Sequence, residues 1–432
     1  MRRFERSRGP LVLATVMATV AAALAGCSPG SADSSDGGPA SVSLMIWDPA
    51  QKAGVQKAVD GFQAANPDIK VSLEQVPEDQ YYTKLDASLG AGEGPDVMWQ
   101  SSRAPVYVEG GALEPLDQYI EKDKVSMDAY PEKFVSLYKF DGKQYGIPKD
   151  QDVWSVVYNT AVFKKLGVTD VPTAGWTWED MVRIAGEIKA KQTSSADVPM
   201  YYNYDFNRGV GSLIHALGGT VVKDGNGTVS SPQGLEAFEM IKDLQDKSLI
   251  PPVKDSADFK GTQSLLSGSI AMAKVPSWEL SLLAQANVPA GTFHMVPQPS
   301  VNGSRATDTN GLSYVMNANS HQKDAAWKLI KYLTSDEGAT LHAEGGASFP
   351  ANVAAGVKAA YYQANSKIAG IQEAFDVTLE QNYLRTTTEF PKVRSVMPEI
   401  ESTVAGPYYA GSLSASEAAS KADAIITRSL KQ

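Results

Sequence analysis

Val42-Ser43-Leu44-Met45-Ile46-Trp47, the segment Lys52 to Ala65, and then Ile69-Lys70-Val71-Ser72-Leu73 form the stretch whose reading decides the fold. The first is a short apolar run and reads as a buried strand. In the second, Val55, Val59 and Phe62 recur on one face of a helix, and Asn66-Pro67 ends it. The third alternates apolar and polar residues, the period of a strand. A further helix over Tyr81 to Leu89 and a strand over Asp96-Val97-Met98-Trp99 continue the alternation. Strands alternating with helices predict an α/β domain with a largely parallel sheet. In such sheets the ligand sits beyond the carboxyl ends of the strands, where this sequence places Trp47-Asp48 and Gln100-Ser101.

The same pattern recurs downstream. Gly146-Ile147-Pro148 leads through Asp150-Gln151-Asp152 into the β-rich run Val153 to Asn159. Trp178 to Lys191 is an amphipathic helix with Thr177 as its N-cap. Val198 to Tyr204 reads as a strand, Leu235 to Leu244 as a helix, Thr262 to Leu266 as a short helix and Ile270 to Lys274 as a strand. Ala325 to Leu333 is helical, with Trp327, Ile330 and Leu333 in step, and most of the last hundred residues follow it.

Composition narrows the function. A net charge of −10 and a single cysteine argue against nucleic acid as a partner, which needs clustered Lys and Arg, and against a disulfide or multi-Cys zinc site. The four histidines are far apart, so no His-based metal centre is expected, and no cofactor is expected either. Arg2, Arg3, Arg6 and Arg8 precede the apolar run Leu11 to Leu24, too short for the roughly 20 residues of a membrane span and suited to a secretory signal. It ends in Leu24-Ala25-Gly26-Cys27, which resembles a bacterial lipobox. Residues 1–26 are read as a lipoprotein signal peptide, Cys27 as the lipidated residue, and 27–41 as a flexible tether. The rest of the chain is expected on the outer face of the cell membrane.

Five landmarks carry a family resemblance. They are Trp47 with Phe62-Gln63-Ala64-Ala65-Asn66-Pro67; Tyr82-Thr83-Lys84-Leu85 with Gly94-Pro95-Asp96-Val97 and Gly111 to Leu116; Tyr145-Gly146-Ile147-Pro148 with Val157-Tyr158-Asn159 and Trp176-Thr177-Trp178-Glu179; Leu266 to Met272 with Trp278; and Ala325 to Thr334. In this order and spacing the chain resembles the extracellular solute-binding proteins that include maltose-binding protein. The resemblance implies a two-lobe periplasmic-binding-protein-like α/β fold with hinge crossovers and a helical C-terminus. One lobe would hold 42–149 plus 310–349, the other 152–307 plus 350–432, closing on ligand as a hinged trap. It implies a monomeric binder, not an enzyme, that passes a sugar or oligosaccharide to the permease subunits of an ABC importer.

A pyranose offers apolar C–H faces and a rim of hydroxyls, and so calls for aromatic planes and planar polar side chains. The aromatic candidates are Trp47, Tyr81, Tyr82, Tyr201, Trp278 and Phe349; the polar ones are Gln51, Gln100, Ser101, Asp150, Asp152, Asn203, Asn310 with Gly311, and Arg385. Against each stands a plainer role: core packing for the aromatics, turn capping for one of the two aspartates, a hinge turn for Asn310-Gly311, a structural ion pair for Arg385. Trp154, Tyr158, Trp176, Trp178 and Trp327 read as packing. Asp224-Gly225-Asn226-Gly227 reads as a hairpin turn; it lacks the Gly and Glu of a calcium loop. Gly209-x-Gly211 lacks the third glycine of a dinucleotide loop. Two alternatives stay open: a secreted glycoside hydrolase using a pair from Asp150, Asp152 and Glu279, and the same fold binding a polyamine, peptide or phosphate ester.

Overall fold

The computed structural model describes residues 40–193, 198–252 and 260–432. The signal peptide, Cys27 and most of the tether read from the sequence lie outside the described residues. Ala40 and Ser41, assigned to the tether, instead begin the first strand, Ala40–Ile46, where they pair with Ile69 and Lys70.

The opening stretch folds as its periodicity requires. Helix Lys52–Ala65 buries Val55, Ala58, Val59 and Phe62 completely. The first sheet has the order Ile69–Gln75, Ala40–Ile46, Val97–Gln100, Ser313–Met316, Gly146–Pro148. Its first three strands are parallel, as βαβ connections dictate. Ser313–Met316 runs antiparallel to both of its neighbours, a departure from the expected parallel sheet. The chain re-enters this sheet from the end where the parallel strands finish, so its strand must point the other way.

The second sheet has the order Phe293–Val296, Trp154–Asn159, Met272–Pro276, Met200–Tyr201. Only its last pair is parallel. The strand expected over Val198 to Tyr204 is confined to Met200–Tyr201. Asp205 ends it, because its carboxylate accepts the Arg208 backbone N–H and caps the wide helical turn Phe206–Val210. Helix Trp178–Lys191 starts at a capping box, Thr177 and Asp180 each bonding the other's backbone N–H. Asp224 and Gly225 have positive φ in the hairpin turn joining Val222–Lys223 to Asn226–Gly227. Beyond residue 354 the chain is almost wholly helical, closing with Ala415–Lys431.

Each sheet heads its own hydrophobic core. Val42, Ile46, Phe62, Trp99, Tyr314 and Ile330 belong to the first. Val157, Leu265, Val275, Phe349 and Phe375 form one cluster on the second sheet, and Tyr158, Trp178, Ile214, Phe238 and Ile426 another. The chain passes between the two bodies three times, at 149–153, 307–312 and 348–352. These segments lie side by side. Lys149 and Asp152 donate backbone N–H groups to Leu312 (2.8 Å) and Asn310 (2.7 Å), and Gln151 donates to Phe349 (3.0 Å). Asp150 also bridges to Pro350.

Phe62 is fully buried while Val106 is 66% exposed. Phe62→Ala should therefore cost about 3–5 kcal/mol of unfolding free energy, and Val106→Ala less than about 0.5 kcal/mol. Urea denaturation of both variants checks this; equal losses would contradict the core assignment.

Candidate functional site

A cavity of about 580 Å³ opens where the two bodies face each other, bounded at its base by the crossing segments. Trp47, Gln51, Tyr82 and Ser101 line it from the first lobe, Trp278 and Arg385 from the second, and Asp150, Asp152, Asn310 and Phe349 from the crossings. It is built at the carboxyl ends of the strands, where side chains leave the sheet and backbone groups are not all used in the ladder.

Trp47 follows the strand Ala40–Ile46 directly. Its ring is fixed edge-on by Tyr81 at 4.9 Å and Trp99 at 5.2 Å, and leans on Tyr82 at 6.1 Å. Trp278 lies across the cavity in the turn Ser277–Glu279 after strand Met272–Pro276, edge-on to Trp154 at 5.1 Å. Rings held this way by other rings are rigid, and they lose little entropy when a ligand stacks on them. Phe349 touches the cavity but is 1% exposed and packed edge-on against Tyr361 and Phe375. It forms floor rather than platform.

The polar side chains divide by what already holds them. Asp150 is committed to structure: it is ion-paired with Lys149, accepts the Leu312 N–H at 2.9 Å, and accepts the Ser348 hydroxyl at 3.2 Å. One carboxylate thus ties all three crossings. Burial pushes the Lys149 ammonium below its usual range, opposed by Asp150; Lys149 also donates to Gln51 at 3.0 Å and lies 4.1 Å over the Trp99 ring. Asp152 accepts from Arg385 at 3.1 Å, and Arg385 also holds Asp308 at 2.6 Å. Burial raises Asp152 to about 7, with Arg385 opposing and Asp150 and Asp308 reinforcing. For Asp308 burial also works upward, but Arg385, Lys274 and Arg208 outweigh it and hold the carboxylate below its ordinary range. Asn310 spans the lobes, donating to Ser101 at 3.1 Å and accepting from Thr388 at 3.0 Å.

Five sequence candidates lie off the cavity. Gln100 is wholly buried in its strand, behind Ser101. Tyr201 packs beside Gly261, and Asn203 is buried next to Asp205. Gly311 is a packing glycine: a Cβ there would stand 2.8 Å from the Asp150 carbonyl oxygen and 2.8 Å from the Phe134 ring. Tyr81 is also structural, fully buried with its hydroxyl donating to the Trp99 carbonyl at 3.0 Å.

Sequence reasoning placed Asp48 at a strand end without naming it a candidate, and missed Gln75, Glu78, Arg208, Ser348 and Arg394, all of which line the cavity. Asp48 was within reach, being next to Trp47 at a strand end. Arg208 sits beside Gly209, whose Cβ would come within 2.3 Å of the Asn203 carbonyl oxygen. That glycine lets the wide turn fold back tightly enough to bring Arg208 to the cleft, a reason no local motif carries. Arg394 lies on helix Pro391–Ile400 and bonds the Ser102 hydroxyl across the cleft.

The sequence matches the bacterial extracellular solute-binding protein family over residues 47–340. It is 26% identical over 350 residues to a binding protein of Brucella abortus, covering 78% of this chain and 82% of that one. It is 24% identical over 305 residues to the maltotriose-binding protein of Pyrococcus abyssi, covering 68% and 62% respectively. Among solved structures it resembles the ABC substrate-binding protein of Listeria monocytogenes in complex with cycloalternan. There the TM-score is 0.78 at 21% identity, covering 91% of this chain and 99% of that one.

The Asp152 carboxyl keeps its proton to about pH 7 when folded and releases it near 3.9 when unfolded. Between these values the folded state binds more protons, so this group's contribution to stability is lost as pH rises. Asp152→Asn mimics the protonated form. Urea unfolding at pH 5 and pH 8 should show the variant gaining on the parent protein at the higher pH; an unchanged difference would refute the assignment.

Proposed function

The chain belongs to the bacterial extracellular solute-binding proteins, and from that premise we propose that it captures a sugar or oligosaccharide outside the cell and delivers it to an ABC importer. The observation that carries the reading is the pairing of rigid aromatic faces across one cleft, Trp47 and Tyr82 from one lobe and Trp278 from the other, with Gln51, Asp48, Asp152 and Asn310 between them. A pyranose fits this chemistry: its C–H faces stack on the rings and its hydroxyls meet planar donors and acceptors. A cavity of about 580 Å³ falls within the range of small-molecule sites. The relatives described above point the same way, since one binds maltotriose and another was solved with cycloalternan.

The alternatives fit less well. A glycoside hydrolase needs one carboxyl free to give a proton and a second free to attack or to activate water. Asp150 is consumed by Lys149, Leu312 and Ser348; Asp152, although raised to about 7, is held by Arg385 and has no free carboxylate partner beside it among the described residues. Glu279 accepts the Thr262 hydroxyl and does not line the cavity. A polyamine would need carboxylates without cationic partners, and two of the four in the cavity already have them.

In this reading the crossing segments act as the hinge. Asn310 and the Arg394–Ser102 bond join the lobes across the cleft, so a ligand seated between them is coupled to closure. The protein works as a monomer without catalysis, and lipid chains on Cys27 hold it at the outer face of the cell membrane.

Calorimetric titration with mono- and oligosaccharides should give saturable binding with the sugar recovered unchanged. Trp278→Ala should weaken it by about tenfold or more, the loss of roughly 1.4 kcal/mol. Conversion of the sugar, or binding of polyamines alone, would overturn the proposal. Separately, mass spectrometry of the mature protein should show Cys27 as the first residue carrying acyl chains; a free Cys27 thiol would refute the anchor.

A further inference from the structure

Arginine is unevenly committed around the cleft. Arg385 is held by Asp152 and Asp308. Arg208 and Arg394 also line the cavity, yet among the described residues neither has a carboxylate within ion-pair distance. The Nε of Arg208 is buried and has no hydrogen-bond partner, and Arg394 is bonded to the Ser102 hydroxyl. A third arginine, Arg103, stands 4.2 Å over the Tyr82 ring at the same end as Arg394, also without an ion pair. Among the described residues the cavity's acids form no ion pair with these arginines, although Asp152 and Asp308 feel Arg208 at longer range. Asp150 and Asp152 are already paired, Asp48 accepts from Gln51 and the Ala50 N–H, and Glu78 is exposed at the first turn of its helix. In a chain of net charge −10, unpaired guanidinium groups gathered at one cleft ask for an explanation.

Resting on the sugar-binding reading above, we propose that the ligand is an acidic sugar whose anionic group, a carboxylate or a phosphate, is held by Arg208 with Arg394 as a second cation. Arg208 is placed for this. Its guanidinium lies 5.4 Å from the Trp154 ring, and Trp154 is the ring that holds Trp278 edge-on. A sugar ring stacked on Trp278 therefore carries a substituent toward Arg208. The wide turn Phe206–Val210 fixes the arginine's backbone, with Asp205 accepting its N–H at 2.8 Å and Lys274 donating to its carbonyl at 2.8 Å. Guanidinium matches the planar, two-oxygen geometry of carboxylate and phosphate. Neutral hydroxyls also accept from arginine, and Asp308 and Asp152 act on Arg208 from a distance, but only an anionic group places a charge within hydrogen-bond reach of the two guanidinium groups.

The test is calorimetry on the purified chain with matched pairs: uronate oligosaccharides against neutral oligosaccharides of the same linkage, and sugar phosphates against the unphosphorylated sugars, each at low and high ionic strength. The acidic member of at least one pair should bind about tenfold tighter or better, less so in high salt. R208Q should reduce that preference to within about twofold, R208K, which keeps the charge but not the fork, should keep only part of it, and R394Q should reduce it in part; thermal melts confirm that each variant folds. Uronate preference identifies a carboxylate, phosphate preference a phosphoryl group. If the neutral members bind as tightly and R208Q leaves the ratio unchanged, the acidic-sugar assignment falls while sugar binding stands. If no sugar of either kind binds, both fall.

Discussion

The Lys149–Asp150 ion pair sits where the three crossing segments meet, and the rest of the molecule is arranged around it. A chain that passes three times between two bodies must satisfy its backbone groups in a narrow neck with little room for water. Here the segments bond one another, and the Asp150 carboxylate reaches the two outer ones through Leu312 and Ser348. A buried pair of this kind is weak evidence for net stability, since desolvation offsets most of the attraction. Its worth is positional. With either partner missing, the other charge would be stranded, so the pair fixes one arrangement of the neck.

That arrangement also decides what the cleft can do. Because Asp150 and most of Asp152 are spent on the neck, the carboxylates that look most chemical in the sequence are the least available to a ligand. The Arg385 guanidinium, shared between Asp152 and Asp308, is likewise structural. In the proposed reading, recognition passes to side chains on the walls, Trp47 and Tyr82 on one and Trp278 and Arg208 on the other, with Asn310 of the neck between them. The two walls come from separate cores, so the site is complete only while both lobes face it. On the proposed reading, a ligand that touches both walls is coupled to lobe movement for that reason.

Much of the fold was legible because it rests on short-range periodicity. The helix Lys52–Ala65 and its buried Val55, Val59 and Phe62 follow from the spacing of apolar residues, and the Thr177 cap and the Asp224-Gly225 turn follow from local side-chain chemistry. Where competition was tertiary, the reading slipped. Tyr202 to Tyr204 have strand propensity, but the Asp205 cap and the close packing at Gly209 pull the chain out of the sheet. Ser313–Met316 could not be oriented from its own residues, because its direction depends on entering from the neck.

The candidate site divides along the same line. By itself the sequence determined which residue types would stand at strand ends, and so Trp47 and Ser101 could be named from their place after apolar strands, while Trp278 and Asp150 follow from the family resemblance. It could not determine which polar groups were already engaged, since the partners of Asp150 are 162 and 198 residues away for Leu312 and Ser348. Nor could it find Arg208 or Arg394, whose approach to the cleft depends on a turn and a helix packed from distant parts of the chain. Local sequence sets the elements and their apolar faces because those follow from spacing along one segment. Only the tertiary structure decided which charges cancel and which face the ligand, because that depends on which segments the folded chain brings within hydrogen-bond reach.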